Sequence, residues 1–354
     1  MLRGPAMKIQ EQVALAPLTT LQVGGPARYF AEVRHEDDAR EAVQFATSRG
    51  VPFFVLGGGS NLLVADDGFP GLVLRMAIGG LTCESQGSAV LFSAGAGYDW
   101  DALVAQAVTQ NCAGVECLSG IPGSAGGTPV QNVGAYGQEV SETIESVRAL
   151  DTAEDRFVVL PRPACRFRYR SSIFNTTESG RYIIVRVNYR LRRGGSPNLK
   201  YADLQRHFAG ADKPPKLGEV REAVRQIRRN KGMLIVPGDQ DARSAGSFFK
   251  NPVVSAAQLR DLSQRAAARG LEVPSYPALE MQHKVPAAWL VEHSGFAKGY
   301  AAGAAGISSK HALAIVNRGG AEAKDIVALR DAIQHGVEGE WGIRLEPEPV
   351  LVGF

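Results

Sequence analysis

The 354-residue sequence lacks several features that would place it in a common functional class. Its four cysteines are Cys83, Cys112, Cys117 and Cys165. No two of them form a Cys-x-x-Cys pair, which argues against a structural zinc site and against a disulfide framework. Reduced thiols are typical of the cytoplasm, so we expect the protein there. None of the six histidines forms a metal-ligand pair at helical spacing, and we predict no bound metal.

Long apolar runs and a strong net charge are also missing. No apolar run approaches the roughly 18 residues that a membrane-spanning helix needs, so we expect no membrane association. Pro5, Lys8 and Glu11 interrupt the N-terminal stretch, and we expect no secretory signal peptide. The net charge of +3 is too small to indicate a nucleic-acid partner, but it is compatible with an anionic small molecule.

The common catalytic and phosphate-binding motifs are absent as well. There is no Gly-x-Ser-x-Gly nucleophile elbow. A turn rich in glycine, Gly57-Gly-Gly-Ser-Asn61 (the glycine turn), follows a predicted strand, but Asn61 and Leu62 stand where a P-loop has lysine. The turn also lacks the third glycine that opens a helix in the Rossmann fingerprint. If it binds phosphate, it does so as neither of these two types.

In place of these motifs the sequence has a long uncharged stretch from Cys117 to Gln138, which we call the glycine segment. Between Ser119 and Gly137 it contains six glycines. Glycine lets backbone N–H groups approach a ligand closely, and consecutive N–H groups can bind an anion. Gln131 and Asn132 add neutral donors and acceptors. We interpret the segment as a site for the diphosphate and polar ring of a nucleotide cofactor; the alternative is a surface loop rich in turns.

Hydrophobic periodicity predicts helices and strands in alternation. Predicted helices cover 37–49, 99 or 101 to 108, 201–208, 219–229, 258–268, 287–293 and 323–334, and predicted strands include 28–33, 52–56, 62–64, 71–74, 89–92, 144–152, 156–160, 182–190, 312–316 and 343–352. The first strand, helix and strand form a βαβ unit. If residues 166–170 are extended, their three arginines share one face. The basic face of helix 219–229 is expected to be solvated, and the cations that end it suit the helix dipole.

Six motifs, in order along the chain, together resemble the UDP-N-acetylenolpyruvoylglucosamine reductase family. They are Gly-Gly-Gly-Ser-Asn61, Gly120-Ile-Pro-Gly-Ser124, Pro129-Val-Gln-Asn-Val-Gly-Ala-Tyr-Gly137, Tyr169-Arg-x-Ser-x-Phe174, Gly246-Ser-Phe-Phe-Lys-Asn-Pro252 and Leu345-Glu-Pro-Glu348. The resemblance covers roughly residues 15–354. Since the motifs also fall in the family's order, their combination is far more specific than any one of them.

The resemblance implies an α+β fold: a two-subdomain FAD-binding fold of the vanillyl-alcohol-oxidase type with an inserted α+β substrate-binding subdomain. It places the FAD-binding subdomains at 1–74, joined by a C-terminal strand at 342–354, and at 75–232. The substrate-binding subdomain would then be 233–341. FAD is expected to be non-covalent, NADPH to be the hydride donor, and the protein to be a monomer.

The resemblance assigns contacts with FAD to both glycine-rich stretches. The expected cofactor-binding residues are Gly57, Gly58, Gly59, Ser60, Asn61, Gly120, Ile121, Pro122, Gly123, Ser124, Gly127, Gln131, Asn132, Gly134, Ala135, Tyr136 and Gly137. The expected substrate-binding residues, typical of the longer form of the family, are Tyr201, Lys231, Asn251 and Tyr276.

The implied reaction is the reduction of UDP-N-acetylglucosamine enolpyruvate to UDP-N-acetylmuramate during peptidoglycan precursor synthesis. Hydride addition to the enolpyruvyl methylene carbon generates an enolate, whose charge an arginine or a protonated acid should stabilise. A positioned O–H group must then deliver a proton. The family's motif positions match Ser247 as the proton donor, with Arg170 and Glu348 assisting with charge and orientation.

The sequence departs from the family pattern at Val350, where a basic residue is usual, and at Ser171, where an acidic residue is usual. Two alternative functions stay open, an enzyme of the same cofactor class and a protein that is not an enzyme. An alcohol oxidase with covalently attached flavin would need a histidine or cysteine in a glycine stretch, and only Cys117 qualifies. A sugar-nucleotide sensor without turnover has the departure at Val350 as its support.

Overall fold

The computed structural model describes residues 7–278 and 281–354. The chain divides into two compact units. The first unit contains the chain up to Val13, together with Pro26–Gly59 and Phe69–Arg229, and the second contains Ala14–Gly25, Ser60–Gly68 and Asn230–Phe354. A division into two units does not test the expected boundaries of three subdomains, which stay a prediction.

The described residues form both helices and strands. The helices are α1 (Glu36–Arg49), α2 (Trp100–Thr109), α3 (Ala202–His207), α4 (Leu217–Asn230), α5 (Ala256–Ala267), α6 (Ala287–Glu292) and α7 (Ala323–Trp341). The strands are β1 (Ile9–Ala14), β2 (Pro26–Val33), β3 (Phe53–Leu56), β4 (Leu62–Val64), β5 (Phe69–Met76), β6 (Leu81–Gln86), β7 (Ala89–Gly95), β8 (Cys112–Ala113), β9 (Gly134–Ala135), β10 (Gln138–Glu139), β11 (Ile144–Asp151), β12 (Arg156–Pro161), β13 (Tyr182–Arg193), β14 (Val253–Val254), β15 (Tyr276–Pro277), β16 (His283–Lys284), β17 (Ala301–Ala302), β18 (Ala305–Ile307), β19 (Ile315–Asn317) and β20 (Val350–Val352). In the described part of the chain, no helix combines the length and the apolar character needed to cross a bilayer.

The first sheet of the first unit has the strand order β1-β2-β5-β3. Both β2 and β3 run parallel to β5. The predicted strand, helix and strand are present, but β5 lies between the two strands that α1 connects. Acidic residues open α1 and Gly50, with φ 61°, closes it, as expected for a helix dipole and a glycine at the C-terminal end.

The second sheet of this unit is antiparallel, with the order β12-β11-β13-β7-β6 and with β8 beside β13. Residues of its strands share one hydrophobic cluster with α1, α2 and the first sheet. Phe92, Trp100 and Tyr189 are the largest fully buried side chains of this cluster. The rings of Trp100 and Tyr189 lie 5.5 Å apart, which fixes the start of α2 over β13.

The second unit is built from small sheets and three helices, α5 to α7. The sheet orders are β14-β16-β15 and β17-β18-β19, and β20 pairs in parallel with β4. The apolar faces of α5, α6 and α7 share a second hydrophobic cluster that contains the fully buried Trp341.

Among the predicted elements of the second unit, the last helix and the last strand differ most from the structure. The last helix was expected to end near residue 334, but α7 continues to Trp341. It passes through Gly336, where an added Cβ would lie 2.6 Å from the Phe296 ring, so close packing requires glycine there. The predicted strand 343–352 is reduced to β20, because Pro347 and Pro349 lack the N–H groups of a regular ladder.

The extended conformation considered for residues 166–170 is wrong. Arg166 and Arg170 have φ of 48° and 53°, in the left-handed region. The N–H groups of Arg168 and Ser171 each donate to the other's carbonyl, at 2.9 and 3.1 Å, which closes a tight turn. The three arginines therefore do not share one face of a strand.

We predict that Phe92→Ala lowers the free energy of unfolding by about 3–5 kcal/mol, because it removes a fully buried ring and leaves a cavity. Urea titration followed by circular dichroism measures the change. Phe354→Ala is the matched control, since this ring is 63% exposed. Equal midpoints for the two variants would contradict the assigned core.

Candidate active site

The glycine segment, which lies in the first unit, contains little regular structure, and several of its residues have a left-handed backbone. Gly120 and Gly123 have φ of 71° and 131°, and Asn132 and Tyr136 have φ of 47° and 48°. Glycine adopts these angles without strain and asparagine tolerates them, whereas tyrosine needs support from its surroundings. The path of the segment therefore depends on groups outside it.

The start of α2 supplies part of that support. Asp99 caps the helix, since its carboxylate accepts from the Ala102 N–H at 2.7 Å, and so the helix begins at the first of the two predicted positions. The Trp100 N–H donates to the Gly123 carbonyl at 3.1 Å, and the Trp100 indole N–H donates to the Leu118 carbonyl at 3.1 Å. Residues 118–123 are thereby fastened to α2.

The first part of the glycine turn touches the glycine segment directly. A Cβ added to Gly58 would lie 2.5 Å from Gly123 Cα, so the two backbones meet where no side chain fits. Ser124 Oγ lies 3.1 Å from the position that a Cβ on Gly57 would take. This oxygen is buried and has no hydrogen-bond partner among the described residues.

An unpaired buried hydroxyl costs roughly 1–3 kcal/mol, which a polar ligand at this point would offset. Close backbone approach and an unsatisfied hydroxyl are the features that a diphosphate-bearing cofactor requires. The residues present at the meeting of Gly57, Gly58, Gly123 and Ser124 therefore fit the expected FAD.

Asn132, an expected cofactor-binding residue, uses its side chain inside the protein. Its amide nitrogen donates to Glu139 at 2.7 Å and to the Arg168 carbonyl at 3.0 Å, and its oxygen accepts from the Ser141 N–H at 3.1 Å. These three bonds are the ones that hold residue 132 in its left-handed conformation. Asn132 thus shapes the glycine segment through its amide group.

Arg170 lies along the second half of the glycine segment. Its Nη2 donates to the Gly134 carbonyl at 2.8 Å, and its guanidinium carbon is 5.2 Å from the centre of the Tyr169 ring. The structure thus brings this expected catalytic arginine together with expected cofactor-binding residues. The rings of Tyr136 and Tyr201 lie edge to face at 5.3 Å, so the expected substrate-binding Tyr201 also adjoins the segment.

Arg228 is a residue of this cluster that sequence reasoning missed. The side chain is buried, its Nε donates to the Gly120 carbonyl at 3.1 Å, and it also hydrogen-bonds the Tyr136 side chain. Burial lowers the pKa of the guanidinium. A signal was present, because Arg228 follows Val220 and Val224 at four-residue spacing and so continues the buried stripe of α4.

Asp101 is the second missed residue, and it overturns the prediction of a solvated basic face on α4. It pairs with Arg221 at 2.7 Å and with Arg225 at 2.6 Å. It also accepts from the Gly120 N–H at 2.6 Å. Burial alone would raise the pKa of Asp101, but the Arg221 hydrogen bond, the Gly120 N–H and the two positive charges outweigh it and lower the pKa.

The second unit brings together the other two expected catalytic residues. The Glu348 N–H donates to the Phe248 carbonyl at 2.8 Å, and the Lys250 N–H donates to the Glu346 carbonyl at 3.0 Å. Phe249 and Pro347 form an antiparallel bridge between these bonds. Residues 248–250 and 346–348 are therefore a short antiparallel ladder (the Ser–Glu ladder). Ser247 immediately precedes the residue that faces Glu348.

The end of the glycine turn joins the same ladder. The Asn61 amide donates to the Glu348 carbonyl at 3.2 Å, and the Val350 N–H donates to the Asn61 carbonyl at 3.0 Å. Asn251, an expected substrate-binding residue, follows the ladder and its side-chain oxygen accepts from the Ala287 N–H at 2.9 Å. This bond ties the ladder to the start of α6.

The remaining expected substrate-binding residues also lie in the second unit. Tyr276 belongs to β15 and its side chain is 60% exposed. Lys231 follows the last residue of α4 and precedes Gly232, whose φ is 63°. Position 350, where a basic residue was expected from the family pattern, carries an exposed valine in β20.

Cys117 is poorly suited to covalent attachment of a flavin. The thiol is buried and donates to the Asn198 carbonyl at 3.1 Å. Burial, and to a smaller extent the charges of Glu116 and Glu142, raises the pKa of this thiol far above its usual value. Since the thiolate is the reactive form, Cys117 is a weak nucleophile here.

Comparison with known proteins gives consistent matches over most of the chain. Residues 27–160 match a family model described as FAD binding domain, and residues 238–352 match one described as UDP-N-acetylenolpyruvoylglucosamine reductase, C-terminal domain. The chain is 45% identical to the UDP-N-acetylenolpyruvoylglucosamine reductase of Thermobifida fusca over 96% of this chain and 97% of the relative. It is 45% identical to that of Saccharopolyspora erythraea over 96% of this chain and 94% of the relative.

A solved structure is similar over the full length. The crystal structure of UDP-N-acetylenolpyruvylglucosamine reductase from Thermus caldophilus is 27% identical, with a TM-score of 0.68 over 98% of this chain and 99% of that chain. Together with the match to the FAD binding domain, this similarity confirms the predicted α+β fold with an FAD-binding part.

We predict that the FAD of the purified protein is released by acid, because the buried Cys117 thiol has a raised pKa and no covalent link forms. The measurement is precipitation with trichloroacetic acid followed by the absorbance of the supernatant and the pellet. Yellow colour retained by the washed pellet would contradict the prediction.

We also predict that Ser124→Ala raises the dissociation constant of FAD about tenfold, because a hydroxyl that lacks a protein partner would lose its bond to the cofactor. Flavin fluorescence on dilution of the loaded protein measures the constant. Ser48→Ala, at an exposed position of α1, is the control and should leave the constant unchanged. An unchanged affinity of Ser124→Ala for FAD would show that the cofactor does not contact this hydroxyl.

Proposed function

The chain belongs to the UDP-N-acetylenolpyruvoylglucosamine reductase family of FAD-dependent oxidoreductases, and we propose from this membership that it reduces UDP-N-acetylglucosamine enolpyruvate to UDP-N-acetylmuramate with NADPH. The reaction would serve peptidoglycan precursor synthesis in the cytoplasm. Identity of 45% over nearly the whole of this chain and of its relatives supports the same substrate and the same hydride donor.

The observation that carries the proposal is the Ser–Glu ladder. Its bonds from the Glu348 N–H to the Phe248 carbonyl and from the Lys250 N–H to the Glu346 carbonyl hold the segment that follows Ser247 against the segment that contains Glu348. A hydroxyl and a carboxyl group carried by two paired backbone segments can act on one small group of a substrate. Two residues on loops that do not hydrogen-bond to each other would lack this fixed backbone arrangement.

The chemistry that FAD supplies when bound is hydride transfer, from NADPH to the methylene carbon of the enolpyruvyl group. Ser247 then donates its Oγ proton to the carbon that bears the carboxylate, which completes reduction of the double bond. A serine hydroxyl is a very weak acid, so this donation requires a strongly basic enolate as the acceptor. The Ser247 oxygen is reprotonated from solvent before the next turnover.

Glu348 and Arg170 assist with the charge that develops on the substrate. A protonated Glu348 can donate to a carboxylate oxygen of the enolate. The Arg170 guanidinium, which belongs to the first unit, supplies a positive charge that stabilises the negative charge of the enolate. The proposed contacts with the UDP-sugar are those of Tyr201, Lys231, Asn251 and Tyr276. Lys231 is the cation of this set and suits a diphosphate.

We predict that Ser247→Ala leaves reduction of the bound flavin by NADPH unchanged but slows its reoxidation by the enolpyruvyl substrate about 10²- to 10⁴-fold, the usual contribution of a positioned general acid. Anaerobic stopped-flow absorbance follows the two half-reactions separately. The reason is that only the second half-reaction requires a proton on carbon.

Ser263→Ala, at an exposed position of α5 in the same unit, is the matched control and should keep both rates. Equal slowing of both half-reactions in Ser247→Ala would show that the serine supports the fold or the cofactor. An unchanged rate of the second half-reaction would show that Ser247 is not the proton donor.

A further inference from the structure

We propose that Asp101 is a positioning residue for the FAD-binding site, which fixes the backbone of Gly120 with the help of Arg221 and Arg225. The inference rests on the proposed placement of FAD against the glycine segment. Asp101 lies in α2 and the two arginines lie in α4, so the device connects two helices of the first unit to one glycine.

The geometry of Asp101 leaves its carboxylate few other orientations. Its Oδ1 accepts from the Gly120 N–H at 2.6 Å and from Arg221 Nη1 at 2.7 Å. Its Oδ2 accepts from Arg221 Nη2 at 2.9 Å and from Arg225 Nη1 at 2.6 Å. The bidentate pair with Arg221 sets the plane of the carboxylate and thereby aims Oδ1 at the backbone N–H.

The carbonyl of Gly120 is held by a residue of α4. This carbonyl accepts from Arg228 Nε at 3.1 Å, so the N–H of Gly120 is held by α2 and the C=O by α4. Gly120 has φ 71° and no side chain of its own to restrict it. The direction in which the following residues, up to Ser124, present their backbone thus depends on these bonds.

A purely electrostatic effect of Asp101 and a positioning role predict opposite changes in FAD binding when Asp101 is neutralised. A carboxylate repels a diphosphate, and its removal leaves Arg221 and Arg225 unpaired and able to attract one. If charge alone mattered, Asp101→Asn would therefore bind FAD more tightly. If Asp101 acts by position, the same variant binds FAD more weakly, because Gly120 loses a charge-assisted hydrogen bond and its fixed orientation.

The test compares holo-proteins that carry Asp101→Asn, Asp101→Glu or no substitution. Flavin fluorescence on serial dilution gives the FAD dissociation constant, and visible circular dichroism reports the surroundings of the bound flavin. We expect a rise of about 10- to 100-fold in the constant for Asp101→Asn, with a changed dichroism spectrum. Asp101→Glu should recover part of the affinity, since it keeps the charge and can reach Arg221.

A matched control separates this role from general support of the fold. Asp151 is almost fully buried and accepts from Arg181 Nε at 3.0 Å and Nη2 at 2.7 Å, so it forms a similar bidentate pair in the same unit. The N–H groups of Ala153 and Glu154, outside the glycine segment, also donate to it. We expect Asp151→Asn to lower the melting temperature but to leave the FAD constant and the dichroism spectrum unchanged.

Unchanged or tighter FAD binding in Asp101→Asn would overturn the proposal, as would equal weakening in Asp151→Asn. If Ser124→Ala also left the constant unchanged, the placement of FAD itself would be wrong. If Ser124→Ala weakened binding while Asp101→Asn did not, only the positioning role would fail.

Should Asp101→Asn not fold, Arg225→Gln is the second variant, because it removes one of the four bonds to the Asp101 carboxylate. We expect it to raise the FAD dissociation constant about threefold to tenfold. No rise would overturn the proposal.

Discussion

The first unit depends on polar side chains that hold a glycine-rich segment from outside. Glycines let the backbone approach a ligand, but they supply no side chains that could fix the conformation of the segment. Asp101 and Arg228 hold Gly120, and the fully buried Glu116 accepts from the side chain of Gln138 and from the N–H groups of Gly114 and Asn198. Each of these carboxylates or guanidinium groups bonds directly to backbone or amide groups. These charge-assisted hydrogen bonds offset the conformational entropy that the glycines lose on ordering.

In the second unit the register of the Ser–Glu ladder follows from two prolines. Pro347 and Pro349 have no N–H group, so Glu348 is the one residue of this triplet that can donate to a neighbouring segment. Its bond to the Phe248 carbonyl fixes which residues face each other, so that Phe248 faces Glu348 and Ser247 precedes Phe248. Proline, usually a breaker of ladders, here restricts the pairing to a single alignment. The main chain near the two proposed catalytic residues is thus positioned by backbone hydrogen bonds.

Part of this architecture could be predicted from the sequence. The glycine turn and the glycine segment were recognisable because their composition is unusual, and α1 was recognisable from its apolar stripe and from Gly50. The pairing of Asp101 with α4 could not be predicted, because a basic helix face is usually solvated and its partner lies more than a hundred residues away. The turn at Arg166 and Arg170 was missed because alternation of arginine and aromatic residues is also the pattern of a strand, and only tertiary hydrogen bonds decide between the two.

The central claim is that this chain uses bound FAD to carry a hydride from NADPH to an enolpyruvyl sugar nucleotide. The most direct measurement is the visible absorbance of the purified, FAD-loaded protein under anaerobic conditions during stepwise additions. The account predicts that NADPH bleaches the flavin and that UDP-N-acetylglucosamine enolpyruvate restores the colour with formation of one UDP-N-acetylmuramate per flavin. A flavin that NADPH does not bleach, or that stays bleached after the sugar nucleotide is added, would contradict it.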